Sequence, residues 1–500
     1  MKRLRIATAA LVTRGSGHDV EILVVRRAPE LRFFGGYWAF PGGVVDEADH
    51  DGEPDHDVAH ARCALRELYE EVGLLASGIG APDAGLRSRL LQRDAAAACA
   101  EFRVALDEAP DVLGVVRPVA RLTTPPFAPV LYRTRFVHVE APAGFEADIV
   151  PGELVEGAFA RPAELLETWG RGERLVAPPV VFMLEHLAEL GLEAFLERIP
   201  AIAAELEAGR LHPIRNVPGV VMAPLSTRTL PPATTTNAYL VGTSRLFVVD
   251  PAPTDPVEQQ RLFDLIDDRT AAGADLVGVL LTHHHPDHVG AVEATSRRYD
   301  APVLAHPETL ARLDLDVENA RPIEDGVELP LGTSPDGAPG WRLTAHHTPG
   351  HAPGHLCFRE SRYGAVLAGD LVSTVSTIVI DPPEGHMGTY VRSLERMAGI
   401  MGEEGVLHPA HGPVASDGPR VLRRFVEHRQ RREDSLVAAL RSGLEREDEL
   451  LRRVYADVPD ELLPIAARSL LAGLLKLEEE GRAARGPSDV TWVPVNEESS

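Results

Sequence analysis

A chain of 500 residues, 44% hydrophobic and 25% charged, has room for roughly three domains with separate cores and is too apolar to be disordered or fibrous. Fifty Lys and Arg against 75 Asp and Glu leave a net charge of −25, which opposes unspecific attraction to nucleic acid or to an anionic membrane. No apolar run reaches the ~18 to 20 residues of a membrane span, and the Ala/Thr-rich stretch from Ile6 to Val12 is too short for a secretory core, so a cytoplasmic protein with no membrane partner is expected.

The chain opens with two β-rich runs, RLRIATAALV and EILVVRR, whose Gly15-Ser16-Gly17 junction predicts a hairpin. A loop ending in Phe40-Pro41-Gly42-Gly43 and an acidic loop from Asp46 to Asp57 precede a helical stretch, Val58 to Val72, stopped by Gly73. Strands are expected around Arg117 to Leu122 and Val130 to Glu140, and 165–206 reads as mainly helical. Within the first helix, Glu67, Glu70 and Glu71 stand at i, i+3 and i+4, which puts three carboxylates on one face. Such a face repels itself unless a divalent cation neutralises it, and oxygen-only ligands favour magnesium or manganese. A solvated acidic face is the alternative.

A Pro/Thr-rich stretch from Val217 to Pro232 marks the entry to a second α/β region, in which short β-like runs (NAYLV, RLFVVD, LVGVLLT, PVLAH, AVLAGD) alternate with helical ones to about residue 415. The strongest signal of the chain, Thr282 to His288 (THHHPDH), directly follows one of these runs. Imidazoles and carboxylates suit a borderline ion such as zinc, and the three cysteines, Cys63, Cys99 and Cys357, lie too far apart to form a thiolate site. His283 and His285, two apart, are expected to share one ion, with Asp287 and His288 turned to a second and His284 facing away. With 20 His in 500 residues, a chance His-x-His-x-Asp-His arises in roughly one such chain in 500. Downstream, TPGHAPGH supplies His351, LAGD supplies Asp370 and PAHGP supplies His411.

These blocks, over 217–415, resemble the metallo-β-lactamase fold hydrolases. The resemblance implies an αββα sandwich with two zinc ions, the first on His283, His285 and His351, the second on Asp287, His288 and His411, with Asp370 bridging. It also implies hydroxide attack on an ester, thioester, lactam or phosphodiester, with Asp287 or Asp370 moving protons. His355 matches no ligand and reads as a supporting residue. His306, His346, His347, His386 and His408 read as ordinary loop histidines, although His386 lies in a Gly-rich loop that could border the site.

FPGG, Arg66-Glu67-Leu68, Glu70-Glu71 and Gly73 resemble the Nudix box of hydrolases that cleave a nucleoside diphosphate linked to another moiety. Asp49 stands where that family has Glu, with about nine extra residues between it and Arg66. The spacing of Arg27, Arg32, Gly36 and FPGG is similar to the coenzyme A diphosphatase branch. The resemblance implies an N-terminal α/β/α sandwich over 1–210, with magnesium or manganese on Glu67, Glu70 and Glu71. Arg27 and Arg32 would bind phosphate, Arg66 would orient the helix, and Glu153 or Glu156, ahead of Phe159, would be an added ligand or base. A non-catalytic nucleotide sensor is the alternative.

The last region, 420–495, is charged and helical in period, ends in one β-like run, VTWVPV, and suits a small winged-helix-like module before an acidic NEESS tail expected to be disordered. It is similar to the C-terminal extension of a metallo-β-lactamase branch that includes single-strand endoribonucleases. The cluster Arg423, Arg424, Arg429, Arg431 and Arg432 is either a solvated helix face or a guide for RNA or a coenzyme A phosphate. The expected whole is an α/β metal-dependent hydrolase acting on small molecules. Fusion to a coenzyme A-like Nudix region favours a thioester or small acyl ester at the zinc site, with single-stranded RNA as the alternative substrate.

Overall fold

A computed structural model describes residues 4–495 except 32–33, 81, 84, 93–94, 126–127, 129, 212 and 315–318. Arg32 and the NEESS tail lie outside the described residues. The chain divides into two compact units, Met1–Val221 and Met222–Ser500.

In the first unit the strands run in the order Trp38–Ala39, Glu21–Arg27, Leu4–Arg14, Leu131–Glu140, Arg117–Thr123, with Gly42–Val44 added to Leu4–Arg14 and Leu154–Ala160 to Glu21–Arg27. The first two long strands pair antiparallel through Thr13 and Ile22, as the hairpin reading requires. Their near-continuous apolar sequence follows from burial on both faces. Leu11, Ile22 and Val24 enter one core with the helices Pro162–Gly170, Pro178–Leu190 and Leu192–Glu207. Ala10, Val12, Leu23 and Val25 enter the other, with the helices Asp57–Val72 and Ala96–Asp107. Period-two alternation thus builds the α/β/α sandwich. Two helices, Leu86–Leu90 and Ala96–Asp107, and the strand Leu154–Ala160 have no counterpart in the sequence reading.

Two sheets form the sandwich of the second unit. One runs Ala320–Pro322, Val303–Ala305, Asp275–Leu280, Arg245–Val249, Thr235–Gly242, Val220–Ser226, and the other Glu328–Thr333, Pro339–His347, Leu356–Glu360, Val366–Gly369, Leu407–Pro409. Thr235–Gly242 is buried along its whole length, as a strand covered on both faces must be. Helices Pro256–Ala271 and Val292–Tyr299 cover the first sheet, and Met387–Met401 packs Tyr390, Leu394 and Met397 on the second, completing the αββα order. Loops at the ends of strands from both sheets converge at one edge of this sandwich.

Helices Gly418–Arg441, Glu447–Val454 and Leu463–Glu479 close around Leu440, Leu450, Leu474 and Trp492, with the hairpin Ala483–Arg485/Trp492–Pro494 as the wing. Among the described residues no helix is long and apolar enough to cross a membrane.

Candidate metal centre

The strand Asp275–Leu280 ends in the loop that carries Thr282 to His285, and the short helix Pro286–Val289 begins at once, bringing Asp287 and His288 round to the same side. Asp370 follows the strand Val366–Gly369, His351 lies in the loop after Pro339–His347, and His411 follows Leu407–Pro409. Two groups result. Nε2 of His283 and Nε2 of His351 each lie 3.0 Å from Nδ1 of His285. Asp287, His288 and His411 form the second group, and Asp370 stands between the two. Oδ2 of Asp370 is 3.5 Å from His351 Nε2, while its Oδ1 is 3.7 Å from His288 and 3.3 Å from His411.

Each imidazole is aimed by what its other nitrogen does. Nδ1 of His351 donates to the Val379 carbonyl at 2.8 Å, and Nδ1 of His411 donates to the Thr235 carbonyl at 2.9 Å. His288 donates through Nδ1 to Asp250 at 2.9 Å. Asp250 also accepts from the Thr282 amide at 2.8 Å and its hydroxyl at 2.6 Å, and that hydroxyl in turn receives Nδ1 of His283 at 3.0 Å. One buried carboxylate therefore orients a histidine in each group. The sequence reading did not single out Asp250, whose only signal was an acidic residue ending the apolar run RLFVV.

His355 holds the bridging position from behind: it accepts the Asp370 amide at Nε2, 3.0 Å away, and donates through Nδ1 to Thr348 at 2.8 Å. Gly369 makes this approach feasible, since a Cβ there would stand 2.7 Å from His355 Nε2, on a backbone with φ +49°. His284 turns aside to Glu384 at 3.0 Å, His386 caps the helix Met387–Met401 and meets Glu479, and His306 stacks on His347. His408 is buried edge-on to Tyr239.

The donor set fits a pair of divalent ions. The two 3.0 Å separations of His285 Nδ1 from His283 Nε2 and His351 Nε2 approach the ~3.3 Å edge of a tetrahedron with metal–nitrogen bonds of about 2.0–2.1 Å. Two buried polar atoms aimed at the centre, His288 Nε2 and Asp370 Oδ1, have no hydrogen-bond partner. Burial pushes His283 well below its ordinary pKa and His285 down to about 2, the neutral state that ligation requires. Around His288 burial opposes the imidazolium, yet Asp287, Asp370 and Asp250 prevail and lift it to about 10, the mark of a carboxylate-rich site that seeks a cation.

In the first unit, helix Asp57–Val72 lies against Gly42–Val44, close enough that a Cβ on Gly43 would stand 2.3 Å from Glu67 Oε1. The Gly42 amide donates to Glu71 at 2.8 Å. Burial and the Glu67 carboxylate raise Glu70 to about 8 against the pull of Arg66, and Glu67 and Glu71 are raised as well. Three carboxylates so disfavoured as anions suit a divalent cation. Among the described residues, however, groups whose ligand atoms all lie within 4.8 Å of one another occur only in the second unit. Asp49 serves Arg66, at 2.8 Å, so the lengthened loop leaves that pair intact, and Arg66 also reaches Glu67 at 2.9 Å. Glu153 adds to the repulsion felt by Glu67 and Glu70, whereas Glu156 pairs with Arg26 at 2.5 Å. Arg27 draws on the Glu71 carboxylate, and its Nε is buried without a partner.

Beside the metal centre opens a cavity of about 870 Å³, bounded by 228–233, 376–384 and the C-terminal module. The segment 378–381 is held from the far side by that module: Arg429 donates to the Ile378 carbonyl, the Ile380 amide donates to Ser469 at 3.1 Å, and Arg468 pairs with Asp381. Arg432 meets Asp457 at 2.8 Å and lies over Tyr455, and Arg431 lies 3.8 Å from Glu427. Arg423 and Arg424 are exposed.

Three family models match the chain: the NUDIX domain over residues 3–94, the metallo-beta-lactamase superfamily over 231–413, and the beta-lactamase associated winged helix domain over 447–492. Over 276 residues the chain is 30% identical to lactamase-like protein nscB of Aspergillus fumigatus, covering 51% of this chain and 76% of that protein. It is 28% identical over 261 residues to the atrochrysone carboxyl ACP thioesterase of Aspergillus chevalieri, covering 50% and 77%. A solved NUDIX hydrolase from Alicyclobacillus acidocaldarius aligns at 26% identity over 40% of this chain and 98% of that one, with a TM-score of 0.34.

Proposed function

The chain belongs to the metallo-β-lactamase superfamily, with a Nudix domain ahead of that domain and an associated winged helix behind it, and from this premise we propose a cytoplasmic hydrolase of thioesters or small acyl esters. The observation that carries the proposal is the convergence of His283, His285 and His351 beside Asp287, His288 and His411 about Asp370, at the base of a cavity of about 870 Å³. Two zinc ions held there would supply a water acidic enough to ionise near neutrality and a Lewis acid for the carbonyl oxygen. Asp287, partly open to the cavity, receives the proton of the attacking water and returns it to the leaving thiolate as the carbon–sulfur bond breaks. Similarity to a protein named as an acyl carrier protein thioesterase supports the thioester over the phosphodiester reading. So does the engagement of Arg429, Arg432 and Arg468 within the protein, which reduces the cationic character an RNA strand would need.

For the Nudix domain the same proposal assigns magnesium or manganese to Glu67, Glu70 and Glu71 and a nucleoside diphosphate compound such as coenzyme A as substrate, with Arg27 toward the phosphates. A panel of acyl thioesters and a labelled single-stranded RNA, each incubated with the zinc-loaded protein and with Asp287→Ala, tests the second unit. Thioester turnover lost by more than about a hundredfold in the variant is expected. RNA cleavage with no thioester turnover would overturn the assignment.

A further inference from the structure

The helix Leu463–Glu479 carries two apolar stripes. Leu470, Leu474 and Leu477 enter the core of its own module. Leu462, which caps the helix, and Ile465 and Ala466 of its first turn line the cavity beside the metal centre, together with Tyr455 and Val458; Ala466, Tyr455 and Val458 also pack on the module core. The charged groups on this side are engaged elsewhere: Arg432 with Asp457, Arg468 with Asp381, and Arg429 with the Ile378 carbonyl. What this wall offers a ligand is apolar surface. At about 870 Å³ the cavity has the size of a small-molecule site, and its floor is His285, Asp287, His351, Asp370 and His411.

We infer that the acyl group of the substrate lies against Leu462, Ile465 and Ala466, facing Leu230 and Ile378 of the metal-bearing sandwich, so that the C-terminal module takes part in selecting which acyl thioesters the centre accepts. The inference rests on the thioesterase reading and names the occupant of its cavity. A carbonyl placed over Asp370 leaves the acyl chain no apolar surface on the floor, which is made of imidazoles and carboxylates. The helix is held in register with that floor by the Ile380–Ser469 hydrogen bond and by the Arg468–Asp381 pair, so the wall stands at a fixed distance from the reacting carbon.

Each methylene buried against such a wall raises kcat/KM by about fourfold until the space is filled. The test compares butanoyl, octanoyl and tetradecanoyl thioesters of coenzyme A with zinc-loaded wild type, Ile465→Ala and Ile465→Trp. Ile465→Ala is expected to move the preference toward the longer chains, and Ile465→Trp toward butanoyl, each by roughly tenfold in the ratio of kcat/KM. Inhibition by the matching free carboxylic acids should follow the same order. If Ile465→Trp melts well below wild type, Ala466→Leu takes its place as the space-filling variant. Wild-type turnover with an unchanged chain-length profile in these variants overturns the inference alone. Absence of thioester turnover by fully zinc-loaded wild type overturns the function and the inference together.

Discussion

Asp250 offers the sharpest test of how the metal centre is built. Its carboxylate is 2% exposed and accepts three hydrogen bonds, from the Thr282 amide, the Thr282 hydroxyl and His288 Nδ1. Asp250→Ala leaves these donors without an acceptor, and each buried unsatisfied group costs about 1–3 kcal/mol. If only two stay unsatisfied after relaxation, at the low end of that range, the loss of about 2 kcal/mol corresponds to roughly thirtyfold in affinity. That lies within the ~10–100-fold range known for outer partners of metal ligands. Because His283 is reached through Thr282 and His288 directly, both ions should be held less tightly. Titrating zinc into metal-free protein against a chromophoric chelator measures the two affinities, and the melting temperature of the metal-free variant separates misfolding from weakened ligation. Binding of two zinc ions by Asp250→Ala at wild-type affinity would refute the reasoning.

Two further expectations concern separate parts of the chain. Glu70→Gln should reduce magnesium-dependent cleavage of coenzyme A by more than about a hundredfold and leave hydrolysis at the second unit unchanged, because the two carboxylate sets belong to different domains. Equal diphosphatase rates for wild type and variant would count against the assignment. Burial holds His408 at about 3, so between that value and the ordinary 6.5 the unfolded chain binds the extra proton. Its contribution to stability is complete above about pH 6.5 and falls with acidification at up to about 1.4 kcal/mol per pH unit. His408→Phe should therefore flatten the acid limb of melting temperature against pH. An acid limb of unchanged slope would show that His408 does not carry it.

Much of the candidate centre was legible because its side chains come in short blocks whose residue types have few other uses: a strand end, then His-x-His-x-Asp-His, then single His and Asp residues beside glycine. Asp250 was not, since a lone carboxylate acquires its meaning from Thr282 and His288, more than thirty residues away in sequence. The hairpin of the first unit was readable from RLRIATAALV and EILVVRR, whereas its α/β/α layering was implied only by the Nudix resemblance; in the fold, alternate residues of EILVVRR feed two cores. Helix Ala96–Asp107 was not, because AAACAEFRVALD is rich in alanine and its apolar face only shallowly periodic. The arginine cluster of the last region looked uniform in sequence. In the fold it separates into a buried Arg429, a paired Arg432 and exposed neighbours, a division that depends on which helix face meets the sandwich.

The segment 378–381 is read from both sides: the Val379 carbonyl receives His351, while Ile378 and Ile380 are bound by Arg429 and Ser469 of the C-terminal helices. A backbone shared in this way makes occupancy of the centre and docking of the helices thermodynamically reciprocal. Whatever free energy ligand binding gains from a seated module is returned to the module as resistance to detachment. Metal-loaded protein should thus protect the amides of Leu463–Glu479 from hydrogen exchange better than stripped protein does, although none of those amides touches a ligand.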